Sequence, residues 1–290
     1  MEAVLYSDAA CPWAYSAMPA LRVLEWRYGD QLDWRLVLVG LADDASRYEQ
    51  RGYTPLRVVQ GRSIFRRYGM PFSLEPRPRV GATGRGCRAA VAARLIAPGS
   101  EWRVFRALQL ANFTTALMLD EDDGIAQALR GVDGVDADAI VARLEDPEVT
   151  EAYERDKRET RSAEGSAAEL QGKTATTDGP VRFTAPSLVL ERDGVRLVGG
   201  GFQSVDAYDV LVANLDPTLE RAPAPDTPEP LLDRFPDGLA TQEVAALKVR
   251  GNEPADRGAA ELALLELVAA GRAKRTPVGD DAVWRSAIRG

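Results

Sequence analysis

The segment EAVLYSDAACPWAYSAMPALRVLEWRYGDQLDWRLVLVG at residues 2–40 constrains the fold more than any other. EAVLYSD reads as a short strand. From Pro12 to about Tyr28 the apolar positions Tyr15, Met18, Leu21 and Leu24 follow helical spacing, and Gly29-Asp30 stops the run. LDWRLVLVG, rich in β-formers, reads as a second strand. Strand, helix and strand of these lengths predict a βαβ unit with a parallel pair.

The rest of the chain changes character three times. GRGCRAAVAARLIA, EWRVFRALQLANFTTAL, DGIAQALRGV and ADAIVARLEDPEVTEAYERDKRET are helical patterns, with Pro147 at a helix start. PSLVLERDGVRLVGGG then reads as a hairpin turning at Asp193-Gly194, and SVDAYDVLVANL as a helix with Ser204 at its N-cap. After the Pro-rich RAPAPDTPE come two helical patterns and a hairpin-like segment, the make-up of a winged helix. The expected division is 1–65 with 175–220 as one split α/β domain, 66–174 as an all-helical insertion, 221–229 as linker and 230–290 as a small α+β domain. A chain ending near Ala222 is then expected to stay folded.

Composition excludes several chemistries. The 290 residues contain no histidine, which removes His-based triads, bases and metal ligands. Two cysteines, Cys11 and Cys87, are too few for thiolate-built zinc or iron–sulfur sites, so no metal is expected. A formal charge of −8 argues against nucleic-acid binding, and the tail that resembles a winged helix carries acids at least as often as bases. No apolar run is long enough for a membrane span. Met1 leads straight into AVLY without a basic or long apolar region, so a cytoplasmic chain without a secretory signal is expected.

CPWAY at the start of the first helix, GMPF at residues 69–72, TAPSLV at 184–189 and GGFQSVDAYDVL at 200–211 occur in an order that resembles the DsbA-like thioredoxin-domain proteins, a group taking in FrnE-like oxidoreductases and kappa-class glutathione transferases. The resemblance covers roughly residues 1–218. It implies a thioredoxin fold interrupted by a helical domain, with Cys11 as the catalytic thiol and Pro12, Trp13, Ala14 and Tyr15 as the active-site motif. It also implies a cis-proline loop at Thr184, Ala185 and Pro186. Ala14 stands where the family carries its resolving cysteine, so the implied chemistry is that of a monothiol. Thiol–disulfide exchange or thiol transfer would then need an outside thiol, glutathione- or mycothiol-like, rather than a tightly bound cofactor. Substrates would be a small thiol, a protein disulfide or an electrophile. Gln203 and Ser204 match the helix N-terminus that holds a glutathione carboxylate in kappa-class relatives. The alternative is a catalytically inactive adaptor, which suits the missing second cysteine and the added C-terminal segment.

Four further expectations attach to single residues. At the N-cap of a helix, Cys11 faces free N–H groups that lower a thiol pKa; a buried apolar cysteine is the alternative. Trp13 and Tyr15 help shape the site. Cys87 is either a resolving thiol that folds back on Cys11 or a core cysteine. The arginines 47, 51, 57, 62, 66, 67, 77, 79, 85 and 88 are opposed only by Glu49 and Glu75. They form either an anion-binding patch or a solvated face paired with the acidic stretch from Asp120 to Glu169.

Overall fold

The computed structural model describes residues 1–177 and 179–287; Asp178 and the last three positions of the expected 230–290 segment lie outside them. Along the chain the elements are β1 (Glu2–Ser7), α1 (Pro12–Ser16), α2 (Met18–Tyr28) and β2 (Asp33–Leu38). There follow α3 (Ser46–Gln50), α4 (Pro55–Phe65), α5 (Gly84–Ile96), α6 (Glu101–Thr114), α7 (Asp122–Leu129), α8 (Ala137–Ala142), α9 (Pro147–Thr160) and α10 (Ala167–Leu170). Next come β3 (Thr174–Ala175), β4 (Arg182–Phe183), β5 (Ser187–Arg192), β6 (Val195–Gly200) and α11 (Val205–Leu215). The C-terminal elements are α12 (Glu229–Arg234), β7 (Leu239–Ala240), α13 (Thr241–Leu247), α14 (Arg257–Ala269), β8 (Ala273–Val278) and β9 (Asp281–Ser286).

The central sheet has strand order β2-β1-β5-β6. β1 and β2 run parallel, while β5 pairs antiparallel with β1 and with β6. Both faces are covered, and the two-residue period of the strands divides β1 between two cores. Ala3 and Leu5 join a large cluster with Leu24, Val91, Phe105 and Tyr153. Val4 and Tyr6 face Cys11, Ala14, Phe183 and Val189 on the other side. The β5–β6 hairpin turns at Asp193 and Gly194, both with positive φ (51° and 78°), the conformation a tight two-residue turn demands.

Two local details depart from expectation. The helix expected from Pro12 to Tyr28 is broken at Ala17, because Pro19 has no N–H to continue the ladder and instead sits in the first turn of α2. Helices also begin at Ser46, before the start expected for the helical patterns at 66.

The C-terminal elements build a three-stranded sheet, β7-β9-β8, against α12, α13 and α14. Their core holds Leu231, Leu239, Leu264 and Trp284, but it also takes in Val23 from α2. Asp280 N–H donates to Phe72 O (3.1 Å), and Phe72 N–H donates to Asp280 Oδ1 (2.8 Å). Trp26 Nε1 donates to Pro223 O at 2.9 Å. This segment is therefore bound to the rest through side chains and backbone alike.

Candidate active site

Cys11 is the N-cap of α1 with extended backbone (φ −81°, ψ 116°), and Pro12 occupies the first helical position. Its Sγ donates to Ala185 O at 3.0 Å, and the Ala185-Pro186 bond is cis. The structure thus brings the cysteine motif and the TAPS loop together. It does not give the thiol the expected low pKa. Cys11 is 5% exposed, and burial pushes it up to about 12, outweighing the lowering by the Ala14 and Trp13 N–H groups. Asp8 adds to the rise and Arg182 opposes it. The resting sulfur is a thiol, not a thiolate, because the helix terminus offers less than desolvation removes.

Asp8, which the sequence reading did not single out, organises this loop. Its Oδ1 accepts from Ala10 N–H (2.9 Å), and its Oδ2 accepts from Leu41 N–H (2.9 Å) and the Thr83 hydroxyl (3.1 Å). The signal was present: an Asp three residues before Cys11 is placed to close a turn through its side chain. Oδ2 also accepts from Cys87 Sγ at 3.5 Å. Cys87 is fully buried in α5 and free, as is Cys11, so the two thiols have separate partners. Burial, aided by Asp8, pushes the Cys87 thiol well up.

Trp13 is 41% exposed, and its ring lies against Phe65 (4.8 Å), Phe202 (5.6 Å) and Tyr68 (5.7 Å). Tyr15 turns the other way. It is buried, stacks on Phe113 (4.6 Å) and donates its hydroxyl to Pro71 O (2.9 Å), so it supports the core rather than shaping the site's surface. Ala14 is buried in the same cluster as Cys11.

Cys11, Pro12 and Trp13 form one wall of a cavity of about 470 Å³, a volume ordinary for a small-molecule site. Its other walls come from α3, α4, α6 and the 75–83 segment, with Arg62, Phe65, Arg77 and Thr83 among them. Gln203 and Ser204 do not line it. Ser204 Oγ instead accepts from Ala207 N–H (3.2 Å) as the cap of α11, and Gln203 Nε2 donates to Gly200 O (2.7 Å).

The chain before the cis-proline is already paired. β4 lies antiparallel to β3, and Thr184 donates to Lys173 O from both N–H (3.4 Å) and hydroxyl (3.0 Å). Ala185 O is occupied by the Cys11 thiol. Among the described residues no group of three or more His, Cys, Asp or Glu side chains is placed to hold a metal. None of the helices there is long and apolar enough to cross a membrane.

The arginines divide. Arg79 pairs with Asp120 and Glu121, Arg85 with Asp122 and Glu145, and Arg88 with Glu145, as the solvated-face reading expects. Arg66 pairs with Asp280. Arg62 and Arg77 turn inward instead and line the cavity, and among the described residues their side chains donate to backbone carbonyls and not to a carboxylate.

Solved structures with related folds are those of a candidate protein disulfide isomerase from Nitrosomonas europaea (16% identity, TM-score 0.55, 73% of this chain and 96% of that one) and a probable DsbA oxidoreductase from Streptomyces coelicolor (17%, 0.54, 77% and 92%). A third is the cytosolic disulfide reductase DsbM from Pseudomonas aeruginosa (19%, 0.51, 74% and 98%), which has also been solved with GSH. No curated protein matches. At these identities the likeness is one of fold. The model of the DSBA-like thioredoxin domain matches residues 3–164, more than half of the chain. With its parallel β1–β2 pair, its cysteine at the N-cap of α1 and its cis-proline against that cysteine, the chain belongs to the DSBA-like thioredoxin domain family.

Proposed function

We propose that this chain is a monothiol thiol-disulfide oxidoreductase or thiol transferase that works on small molecules through Cys11. The observation that carries this reading is the position of Cys11: at the N-terminus of α1 and in the wall of a cavity of small-molecule size. The pairing of β4 and Thr184 with β3 and Lys173 supports a small-molecule substrate over a protein one, since a peptide added as a strand needs that edge free. A disulfide reductase of the same fold, DsbM, solved also with GSH, supports a glutathione- or mycothiol-like co-substrate. Two unpaired cysteines suit a reducing, cytoplasmic setting. The C-terminal elements run helix, strand, helix, helix, strand, strand, which suits a winged-helix-like module with a packing role.

In the forward step the Cys11 sulfur attacks one sulfur of a disulfide. A Cys11–S–S–R bond forms, the substrate S–S bond breaks, and the departing thiolate takes the Cys11 proton. An outside thiol then attacks the R sulfur of the adduct. A new small disulfide leaves, and Cys11 recovers a proton from that thiol. Ala14 supplies no internal thiol to shorten the adduct's life.

The burial of Cys11 favours a second reading, a binding protein in which Cys11 is inert. One experiment separates the two. Incubation with oxidised small thiols should give an adduct seen by mass at Cys11, absent in Cys11→Ser and shorter-lived in Ala14→Cys. Alkylation of the resting protein should rise with pH without a plateau below pH 10, following a thiol near 12. No adduct with any oxidised thiol would leave the binding reading standing.

A further inference from the structure

The two inward arginines raise a question that the thiol chemistry does not answer. Arg62 is only 4% exposed. Its Nη1 donates to Ser73 O (3.3 Å) and its Nη2 to Asn112 O (2.7 Å), while its Nε is buried without a partner. Arg77 Nη2 donates to the same Asn112 O (2.6 Å), and its Nε is likewise buried and unpartnered. Two guanidinium groups thus converge on one neutral carbonyl at the wall of the cavity. Neither has an ion pair among the described residues. Glu75 lines the cavity too, yet it is exposed and makes no ion pair among the described residues.

A buried charge without a counter-charge is costly unless something supplies one. Burial lowers the pKa of both guanidinium groups, that of Arg77 to about 9, with Arg62 adding to the fall and Asp120 opposing it. Arg57, near the same cavity, donates only to the backbone carbonyls of Arg51 and Gly52. Polar residues such as Thr83 and Asn112 share the wall with an apolar set, Trp13, Val58, Phe65 and Phe113. Each guanidinium keeps Nη hydrogens beyond those given to the carbonyls, and such a planar donor matches a carboxylate, while the aromatic side chains of the wall match an apolar body.

We propose that Arg62 and Arg77 form a carboxylate-binding subsite, so that the ligand of this cavity is a small acid with an apolar or aromatic body, held with that body toward Cys11. This deepens the small-molecule reading but does not require Cys11 to react.

The test is calorimetric titration of the full chain with benzoate, cinnamate and 2-naphthoate, each against its neutral amide. At least one acid should bind tenfold or more tightly than its amide. Arg77→Met should cut that preference below threefold, and Arg62→Met should do the same if it folds. Arg85→Met, on the paired outer face, should keep it. Cys11→Ser should also keep it, so loss of thiol chemistry and loss of the acid site read separately. Equal affinities of all three acids and their amides for the unaltered protein overturn the proposal without any variant. So does an acid preference that survives Arg77→Met undiminished.

Discussion

Arg106 and Arg62 are withdrawn from solvent to nearly the same degree, 3% and 4% exposed, and their surroundings could hardly differ more. Arg106, on α6, donates from Nη1 and Nη2 to the two carboxylate oxygens of Glu243 on α13 (2.8 and 2.7 Å) and to Gly238 O (2.6 Å). Burial alone would lower the Arg106 pKa, but Glu243 reverses the sign and raises it; Glu243 is held low by the same pair against its own burial. Arg62 meets burial with backbone carbonyls alone, and its pKa falls. In the first case the chain brings its own counter-charge and the product is a staple between the helical region and the C-terminal segment. In the second the counter-charge is left to come from outside, beside a cavity. A buried guanidinium therefore marks structure or ligand according to where its carboxylate is found.

The largest effect in this comparison should come from cutting the staple. Glu243→Ala leaves Arg106 buried and uncompensated, and also frees the Ala240 N–H that Glu243 accepts at 2.7 Å. The expected loss is about 3–5 kcal/mol in urea unfolding. Arg106→Met with Glu243→Leu should restore much of it, because no lone charge remains. The pH dependence carries a sign. A carboxylate whose folded pKa is lowered contributes stability above the ordinary glutamate pKa and loses it as pH falls through the lowered folded value. The gap between the unaltered protein and Glu243→Gln should therefore close in acid. A gap that stays constant through acid would show that the pair is not ionised as drawn.

The contrast also marks how far the sequence could be read. The βαβ start, the hairpin at Asp193-Gly194, the Ser204 cap and the cysteine beside the cis-proline all rest on local spacing or on short motifs in order. What escaped is non-local. Nothing in the spacing of Arg62, Arg77 and Arg85 separates a residue facing the cavity from one paired across 37 positions with Asp122. The partner of Arg106 lies 137 positions away in a segment expected to be a separate domain. The thiol pKa failed for a related reason. A helix N-terminus is visible in CPW, but the burial that overrides it is supplied by residues as distant as Ala185 and Phe183. A chain ending near Ala222 should accordingly fold with reduced stability: the main cores lie upstream, yet Val23 and Arg106 lose their cover.

The next effect is smaller and opposite in direction. Arg77→Met removes a partly buried charge that has no ion pair among the described residues and only Asp120 nearby to offset it, and Asn112 O keeps its bond from Arg62. Stability should rise by about 1 kcal/mol or stay level. Again the sign follows from the pKa. A base whose folded pKa is lowered to about 9 penalises the fold fully below that pH, and the penalty is relieved as pH rises from there toward the ordinary guanidinium value. The advantage of Arg77→Met should thus be present at pH 8 and diminished at pH 10.5. A bound carboxylate should erase it at pH 8 as well, by stabilising only the unaltered protein.

The smallest effect belongs to the outer face, where arginine is plentiful and well paired. Arg85 Nε lies 2.8 Å from Asp122 Oδ1, and its Nη1 reaches Glu145, but Asp122 and Glu145 are each more than half exposed as side chains. Water already solvates both carboxylates, so little is gained by bringing a cation to them, and salt screens what remains. Arg85→Met should cost no more than about 1 kcal/mol, less in 0.5 M salt, with no change in the acid preference of the cavity. An arginine with two carboxylates on the outside is then one the fold hardly misses, while Arg106, with one carboxylate in the interior, is one it cannot lose. If Arg85→Met instead cost as much as Glu243→Ala, exposure would not be what separates these sites, and the assignment of Arg62 and Arg77 to a ligand by their burial would lose its footing.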